Sequence, residues 1–98
     1  MKFDWNPDKN ELLKSTRGIS FELVVEAIKL KKVFVDTPHY NQVSYFKQRL
    51  MIVEINDYVY VVPYVLNGTV KFLKTIYPSR DYYKKYYKNA KKTKVWPI

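Results

Sequence analysis

The chain has 98 residues, 47% of them hydrophobic, with ten Tyr and five Phe, which fits one domain of ordinary size with a modest core. Eighteen Lys+Arg against nine Asp+Glu give a formal charge of +9, so attraction to a polyanion is expected over the whole surface and nucleic acid is the first partner to consider. The absence of cysteine excludes a disulfide framework and a thiolate metal site, and with no cleavable signal and no apolar run near the roughly 20 residues of a bilayer span, the expectation is a soluble chain of the reducing cytoplasm with no membrane contact.

Lys2 to Trp5 alternate in polarity and predict a short strand. Asn6-Pro7 then places an N-cap residue before a proline, the opening of a helix that runs through Glu11 and Lys14 and ends at Gly18. Ser20 followed by Glu22 opens a second helix, with Phe21, Val24, Val25, Ile28 and the stem of Lys31 at helical spacing. From Val33 the period changes. VFVDT, YFKQRLMIVEI, YVYVVPYVL and TVKFLKTIY are rich in β-branched and aromatic residues, with Asn56-Asp57 and Asn67-Gly68 where hairpin turns belong, and predict three or four antiparallel strands.

Pro63 interrupts the third run and cannot donate to a ladder, which predicts a bulge or an outward-facing edge there. Without a bulge, the last run would point Val70, Phe72, Lys74 and Ile76 one way and Lys71, Leu73, Thr75 and Tyr77 the other. Ser79 caps a final helix to about Asn89, with Asp81 in its first turn, and Lys91 to Ile98 reads as a loose basic tail beyond a single domain at 1–90. In that final helix Tyr82, Tyr83, Tyr86 and Tyr87 fall on one face. Tyr83 with Tyr86 or Tyr87 is expected to pack on the sheet, leaving Lys84, Lys85 and Lys88 exposed. The resulting fold class is α+β: an N-terminal helix pair on a three- to four-stranded antiparallel sheet, with a C-terminal helix.

These pieces resemble the BrnT family of bacterial toxins, small ribonucleases of type II toxin–antitoxin systems with a RelE-like fold. The opening helix and the start of the second match in Phe3, Trp5, Lys9, Gly18, Ser20, Phe21, Glu22 and Ala27. Asp36, Thr37, Pro38 and His39 are similar to the family's D-P-x-H turn, Gln48-Arg49 before Leu50 falls at its E-R-[FW], and Tyr77-Pro78-Ser79-Arg80 falls at its I-S-A-R. Arg17 stands where the family usually has His, and Pro78 where it has Ser. The resemblance implies a RelE-like domain that cleaves mRNA, forms a homodimer or a toxin–antitoxin hetero-oligomer, and is neutralised by a cognate antitoxin, typically a ribbon-helix-helix protein.

Metal-independent RNA cleavage needs activation of a ribose 2′-OH, donors for charge growing on phosphorus, and a proton for the departing 5′-oxygen. Arg80 and Arg49 suit the second task, because a planar fork can pair two phosphate oxygens. Arg80 could equally be a surface arginine paired with Asp81 or Glu54, and Arg49 a solvated strand residue. His39, the only histidine, is the candidate proton shuttle, or simply a turn residue bonded to backbone. Tyr77 can stack a base or donate a proton. Lys71, Lys74, Lys84, Lys85 and Lys88 are the candidate RNA contacts, each also readable as a solvated charge. With no second His, no Cys and no spaced carboxylates, neither a metal site nor a cofactor is expected. Two rivals remain open: a non-catalytic RNA- or DNA-binding module, and a basic interaction protein for an acidic partner.

Overall fold

The computed structural model describes residues 2–87. The expected basic tail, with Lys88 and the end of the final helix, lies outside them. The order of elements is β1 (Lys2–Asp4), α1 (Pro7–Arg17), α2 (Phe21–Lys29), β2 (Val33–Pro38), β3 (Gln48–Ile55), β4 (Tyr58–Asn67), β5 (Val70–Leu73), β6 (Tyr77–Pro78) and α3 (Arg80–Tyr82), which continues as a π-helical turn, Tyr83–Tyr87. The fold is α+β.

Local chemistry explains the helices. Asn6 caps α1 through its side-chain oxygen, which accepts from the N–H groups of Asp8 and Lys9 ahead of Pro7. Gly18 ends α1 with φ 63°, its N–H returning to the carbonyls of Leu13 and Lys14. Asn10 then joins the two helices. Its Oδ1 accepts from the N–H of Phe21 at 2.8 Å and its amide donates to Glu22 Oε1 at 2.8 Å, holding the Glu22 carboxyl below the usual carboxylate range. Lys31 follows α2 with φ 58°, a left-handed position that most non-glycine residues avoid.

The sheet is mixed and larger than the three or four antiparallel strands expected. Its order is β1-β5-β4-β3-β2, with β6 also on β4, and β1 runs parallel to β5 while the other pairs are antiparallel. Asn56 and Asp57 both have positive φ, as a tight hairpin turn of that hand requires, and Gly68 opens the β4–β5 turn with φ 63°. The second expected strand begins only at Gln48. Tyr45 to Lys47 belong to the β2–β3 loop, in which the Asn41 side chain accepts from Ser44 N–H.

Pro63 decides the shape of the last strand. It sits buried in the middle of β4, opposite Leu50, and its carbonyl accepts from Lys74 N–H at 2.8 Å while it has no N–H to return. Opposite it the final run breaks into β5 and β6: Leu73 pairs with Tyr64 and Tyr77 with Val61, so four steps on one strand match three on β4. The extra residue is a bulge. It reverses the alternation, so Leu73 and Ile76 pack toward α1 and α2 while Tyr77 turns to the other face. The uninterrupted parity, which put Leu73 and Tyr77 together, is thereby corrected.

Both faces of the sheet are covered. Met51, Val53, Ile55, Val62 and Tyr64 meet Leu13, Phe21, Val24 and Ala27 from the helices. On the opposite face Phe34, Leu50, Ile52, Val59 and Val61 form a second cluster, against which Tyr77, Tyr82, Tyr83 and Tyr86 pack. β3 is therefore buried on both sides, which is why its sequence is a continuous apolar run rather than an alternation. No helix among the described residues is long and apolar enough to cross a membrane.

Candidate functional site

The candidate residues separate into three places. His39 and Tyr77 come together, although 38 positions apart in sequence, because the bulge turns Tyr77 to the face that the β2–β3 loop overhangs. They line a cleft of about 360 Å³, with Tyr40, Tyr45 and Gln48 on the loop side and Lys74 and Thr75 on the bulge side.

His39 is buried, 7% exposed. Its N–H donates to Gln48 O at 3.0 Å, its carbonyl accepts from the Gln42 amide, and its Nδ1 accepts from Asn41 N–H at 3.0 Å. The expectation of a turn residue bonded to backbone is met. Because Nδ1 is an acceptor here, the neutral ring carries its proton on Nε2. Nε2 has no partner among the described residues, and no buried side-chain polar atom there lacks one, so Nε2 holds part of the ring's remaining exposure. The ring stacks on that of Tyr45 at a centroid distance of 4.5 Å and meets that of Tyr40 at 4.4 Å, tilted by 33°.

Tyr77 is half-buried, and burial, with the phenols of Tyr40 and Tyr82 nearby, pushes its pKa above the ordinary tyrosine value. At neutral pH it is a hydroxyl donor. Lys74 is exposed, its Nζ 5.4 Å from the Phe72 ring centroid. The residues of the cleft thus offer donors: the phenols of Tyr40, Tyr45 and Tyr77, the Thr75 hydroxyl, the Gln48 amide, the His39 imidazole N–H and the Lys74 ammonium. No carboxylate lines it. Such a set binds an anion and can deliver a proton, but holds no group poised to remove one.

Arg80 lies elsewhere on the same face. It is exposed beside Lys84, in a depression of about 510 Å³ whose apolar walls are Tyr58 and Tyr83, stacked at 4.8 Å. Ser79 N–H bonds Val59 O, whereas Lys74 N–H bonds Pro63 O, and four residues of strand separate those anchors by about 13 Å at roughly 3.3 Å per residue. Arg80 has no ion pair with Asp81 or Glu54, Glu54 being 3.5 Å from Lys32 Nζ instead, and among the described residues its side chain has no hydrogen bond, its carbonyl accepting from Tyr83 N–H. The expected packing of the C-terminal tyrosines holds for Tyr83 and Tyr86, and Tyr82 joins them, stacked on Tyr86 at 5.8 Å as Tyr86 is on Phe34. Lys84 and Lys85 face outward as expected.

Arg49 and Lys71 occupy the opposite face. Asp36 Oδ1 accepts from Arg49 Nε at 3.0 Å, Asp36 Oδ2 accepts from the Tyr64 hydroxyl at 2.6 Å, and Lys71 Nζ lies 3.7 Å from Oδ2. Arg49 Nη2 also donates to the Asp36 carbonyl at 3.1 Å. Lys71, its side chain 18% exposed, lies 5.0 Å over the Tyr64 ring. Tyr64 itself is 1% exposed, and burial, then the bond to Asp36, pushes its pKa up to about 12. This network ties β2, β3, β4 and β5 together on the side of α1 and α2. Its cations are already committed to one carboxylate.

Sequence reasoning did not single out Tyr40, Tyr45 or the Asp36–Tyr64 bond, and it named Gln48 only beside Arg49 in the resembled motif, with no place in a cleft. The first two carry a signal in hindsight, since large aromatic residues in a polar loop have little to pack against, and Tyr40 is 80% exposed. Gln48 carries none, because its place depends on register. Among the described residues no group of His, Asp and Glu could hold a metal ion. No protein-family model matches the chain, and no curated protein or solved structure matches it.

Proposed function

We propose that this protein binds single-stranded RNA along the tyrosine-lined face of its sheet and acts there as a ribonuclease toxin of the BrnT type, with a RelE-like fold and a cytoplasmic site of action, held in check by a partner antitoxin. The observation that carries the reading is the cleft that joins His39, Tyr77 and Lys74 on a chain of net charge +9. The charge is also unevenly placed: from residue 61 onward there are nine Lys+Arg and a single acidic residue, Asp81. Of these, Lys74, Arg80 and Lys84 are exposed on the tyrosine-lined face, which favours its meeting a polyanion.

In this reading Lys74 and the His39 Nε2–H take phosphate oxygens, the ribose 2′-hydroxyl attacks phosphorus as its proton passes to solvent water, and Tyr77 gives its own proton to the departing 5′-oxygen as the P–O5′ bond breaks, to be reprotonated from water. The products are a 2′,3′-cyclic phosphate and a 5′-hydroxyl end. Arg80 and Lys84 would grip the backbone further along the strand rather than at the scissile phosphate. The second reading, RNA binding without cleavage, is favoured by one specific observation: no lining side chain of the cleft is placed to act as a general base.

Incubating the purified chain with a labelled single-stranded RNA in the presence of a chelator decides between them. Cleavage with cyclic-phosphate ends, lost in Tyr77→Phe and accompanied by growth arrest on expression, is the expected result. Tight, salt-sensitive binding with intact RNA would leave the binding module. Absence of both would overturn the proposal.

A further inference from the structure

We propose that the depression at Arg80 and Lys84 is a second phosphate subsite, spaced so that one RNA strand fills it and the His39–Tyr77 cleft together once the strand reaches about four to six nucleotides. This rests on the RNA-binding reading above and adds a length requirement to it. Tyr58, Arg80, Tyr83 and Lys84 line the depression, of about 510 Å³, and no carboxylate is among them. Arg80 and Lys84 are exposed, and neither side chain has a hydrogen bond or ion pair among the described residues. Like charges four residues apart on a helical segment repel each other. A phosphate between them relieves that repulsion, and the planar Arg80 fork can take two of its oxygens. The segment that carries both cations is held in place, because Tyr83 N–H bonds Ser79 O at 3.0 Å and the Tyr83 ring stacks on Tyr58 at 4.8 Å. The subsite is therefore formed before a ligand arrives.

The spacing of the two sites follows from the ladder. Lys74, at the cleft, is anchored on Pro63 O and Ser79, beside Arg80, on Val59 O, which places the anchors about 13 Å apart along β4 at roughly 3.3 Å per residue. Successive phosphates of one strand lie about 3.4 Å apart along its axis when the bases stack, and roughly twice that when the strand is drawn out. Bridging the two sites therefore takes about two steps of an extended strand or about four of a stacked one. An oligonucleotide without terminal phosphates has one phosphate fewer than it has nucleotides. A trinucleotide thus offers a single step of roughly 7 Å at most and reaches one site only. A tetranucleotide offers two steps and a hexanucleotide four, so the second site is engaged within that interval, and further nucleotides meet no new phosphate contact there.

The test uses the purified full-length chain and fluorescent 2′-O-methyl oligouridylates of two, three, four, six and eight nucleotides, which cannot be cleaved through the 2′-oxygen, titrated by anisotropy at low salt. Affinity is expected to rise about 10-fold from the trimer to the hexamer, the size of one charge-assisted phosphate contact, and no more than about 2-fold from the hexamer to the octamer. Combining Arg80→Ala with Lys84→Ala should remove that step while the trimer binds within about 2-fold of the wild type. In the same variant the log–log salt slope of the hexamer should become shallower by about 0.7, the value for one phosphate of a single strand. Combining Lys9→Ala with Lys29→Ala, which takes the same charge from α1 and α2, should keep the step. Circular dichroism confirms that both double variants fold. An affinity that climbs evenly with length, a step that survives the loss of Arg80 and Lys84, or a step lost equally with Lys9 and Lys29 overturns the subsite and leaves RNA binding standing. No binding at any length fells both.

Discussion

On the α1/α2 face the sheet is closed by aliphatic and phenylalanine side chains delivered by two capped helices, with Phe21 and Val24 both at 0% exposure. On the opposite face it is covered by a short C-terminal segment whose tyrosines lie half-buried over Phe34 and Tyr58, with an open depression at each end. A helix whose apolar stripe is complete leaves no room for a ligand. A single π-helical turn of large rings covers the middle of a sheet and leaves its margins accessible, and turns of that kind recur at functional sites. The charge follows the same division: Arg49 and Lys71 on the helix-covered face are held by Asp36, whereas Lys74, Arg80 and Lys84 on the tyrosine face are exposed.

The largest test of this contrast is stability. Phe21→Ala should cost about 3–5 kcal/mol, as truncation of a fully buried aromatic does, whereas Tyr86→Ala should cost on the order of 1 kcal/mol because its ring is half-exposed. Urea unfolding measures both, and equal losses would mean that the two faces are closed alike. Next is chemistry. Tyr77→Phe should lower RNA cleavage on the order of 100-fold with stability retained, since it removes a proton donor and little else. Arg80→Ala should mainly weaken RNA binding, by a few-fold, as loss of one phosphate contact does. A rate loss at Arg80 as large as that at Tyr77 would move the reaction to the far end of the face.

A third test concerns the network that staples the helix-covered face. The Tyr64 pKa is raised from 10.0 to about 12, so above pH 10 the unfolded chain releases this proton while the folded chain keeps it. The associated stability is complete below about pH 10 and is lost as pH rises through 12, a change on the order of 2 kcal/mol. Unfolding midpoints followed from pH 9 to 11 should fall in the wild type, and the fall should be shallower in Tyr64→Phe. An identical slope in both would show that Tyr64 is not the group responsible. The smallest effect is local: Lys31, at φ 58°, should gain about 0.5–1 kcal/mol when replaced by glycine, which adopts that conformation without strain. Thermal melts would show it.

Much of the fold was legible because it depends on short-range chemistry. Asn6-Pro7, Gly18 and Ser20 bound the two helices through hydrogen bonds that close within a few residues, and Asn56-Asp57 turns the chain because both residues tolerate positive φ. The change of period at Val33 marked the passage to strands, and Pro63 announced an irregularity because a missing N–H must be accommodated wherever the strand lies. Its consequence was out of reach. Whether the extra residue fell on β4 or on its neighbour, and so which face received Tyr77, depends on the pairing of Leu73 with Tyr64 and Tyr77 with Val61, a matter of register between segments. The same holds for the parallel docking of β1 on β5 and for the dispersal of the two arginines. Residue type marked Arg49, Arg80, His39 and Tyr77 as capable of handling phosphate. Only the tertiary structure decided that Arg49 is spent on Asp36, that Arg80 stands alone, and that His39 and Tyr77 share a cleft, because a one-residue shift along a strand exchanges the faces of a sheet and composition carries no record of it.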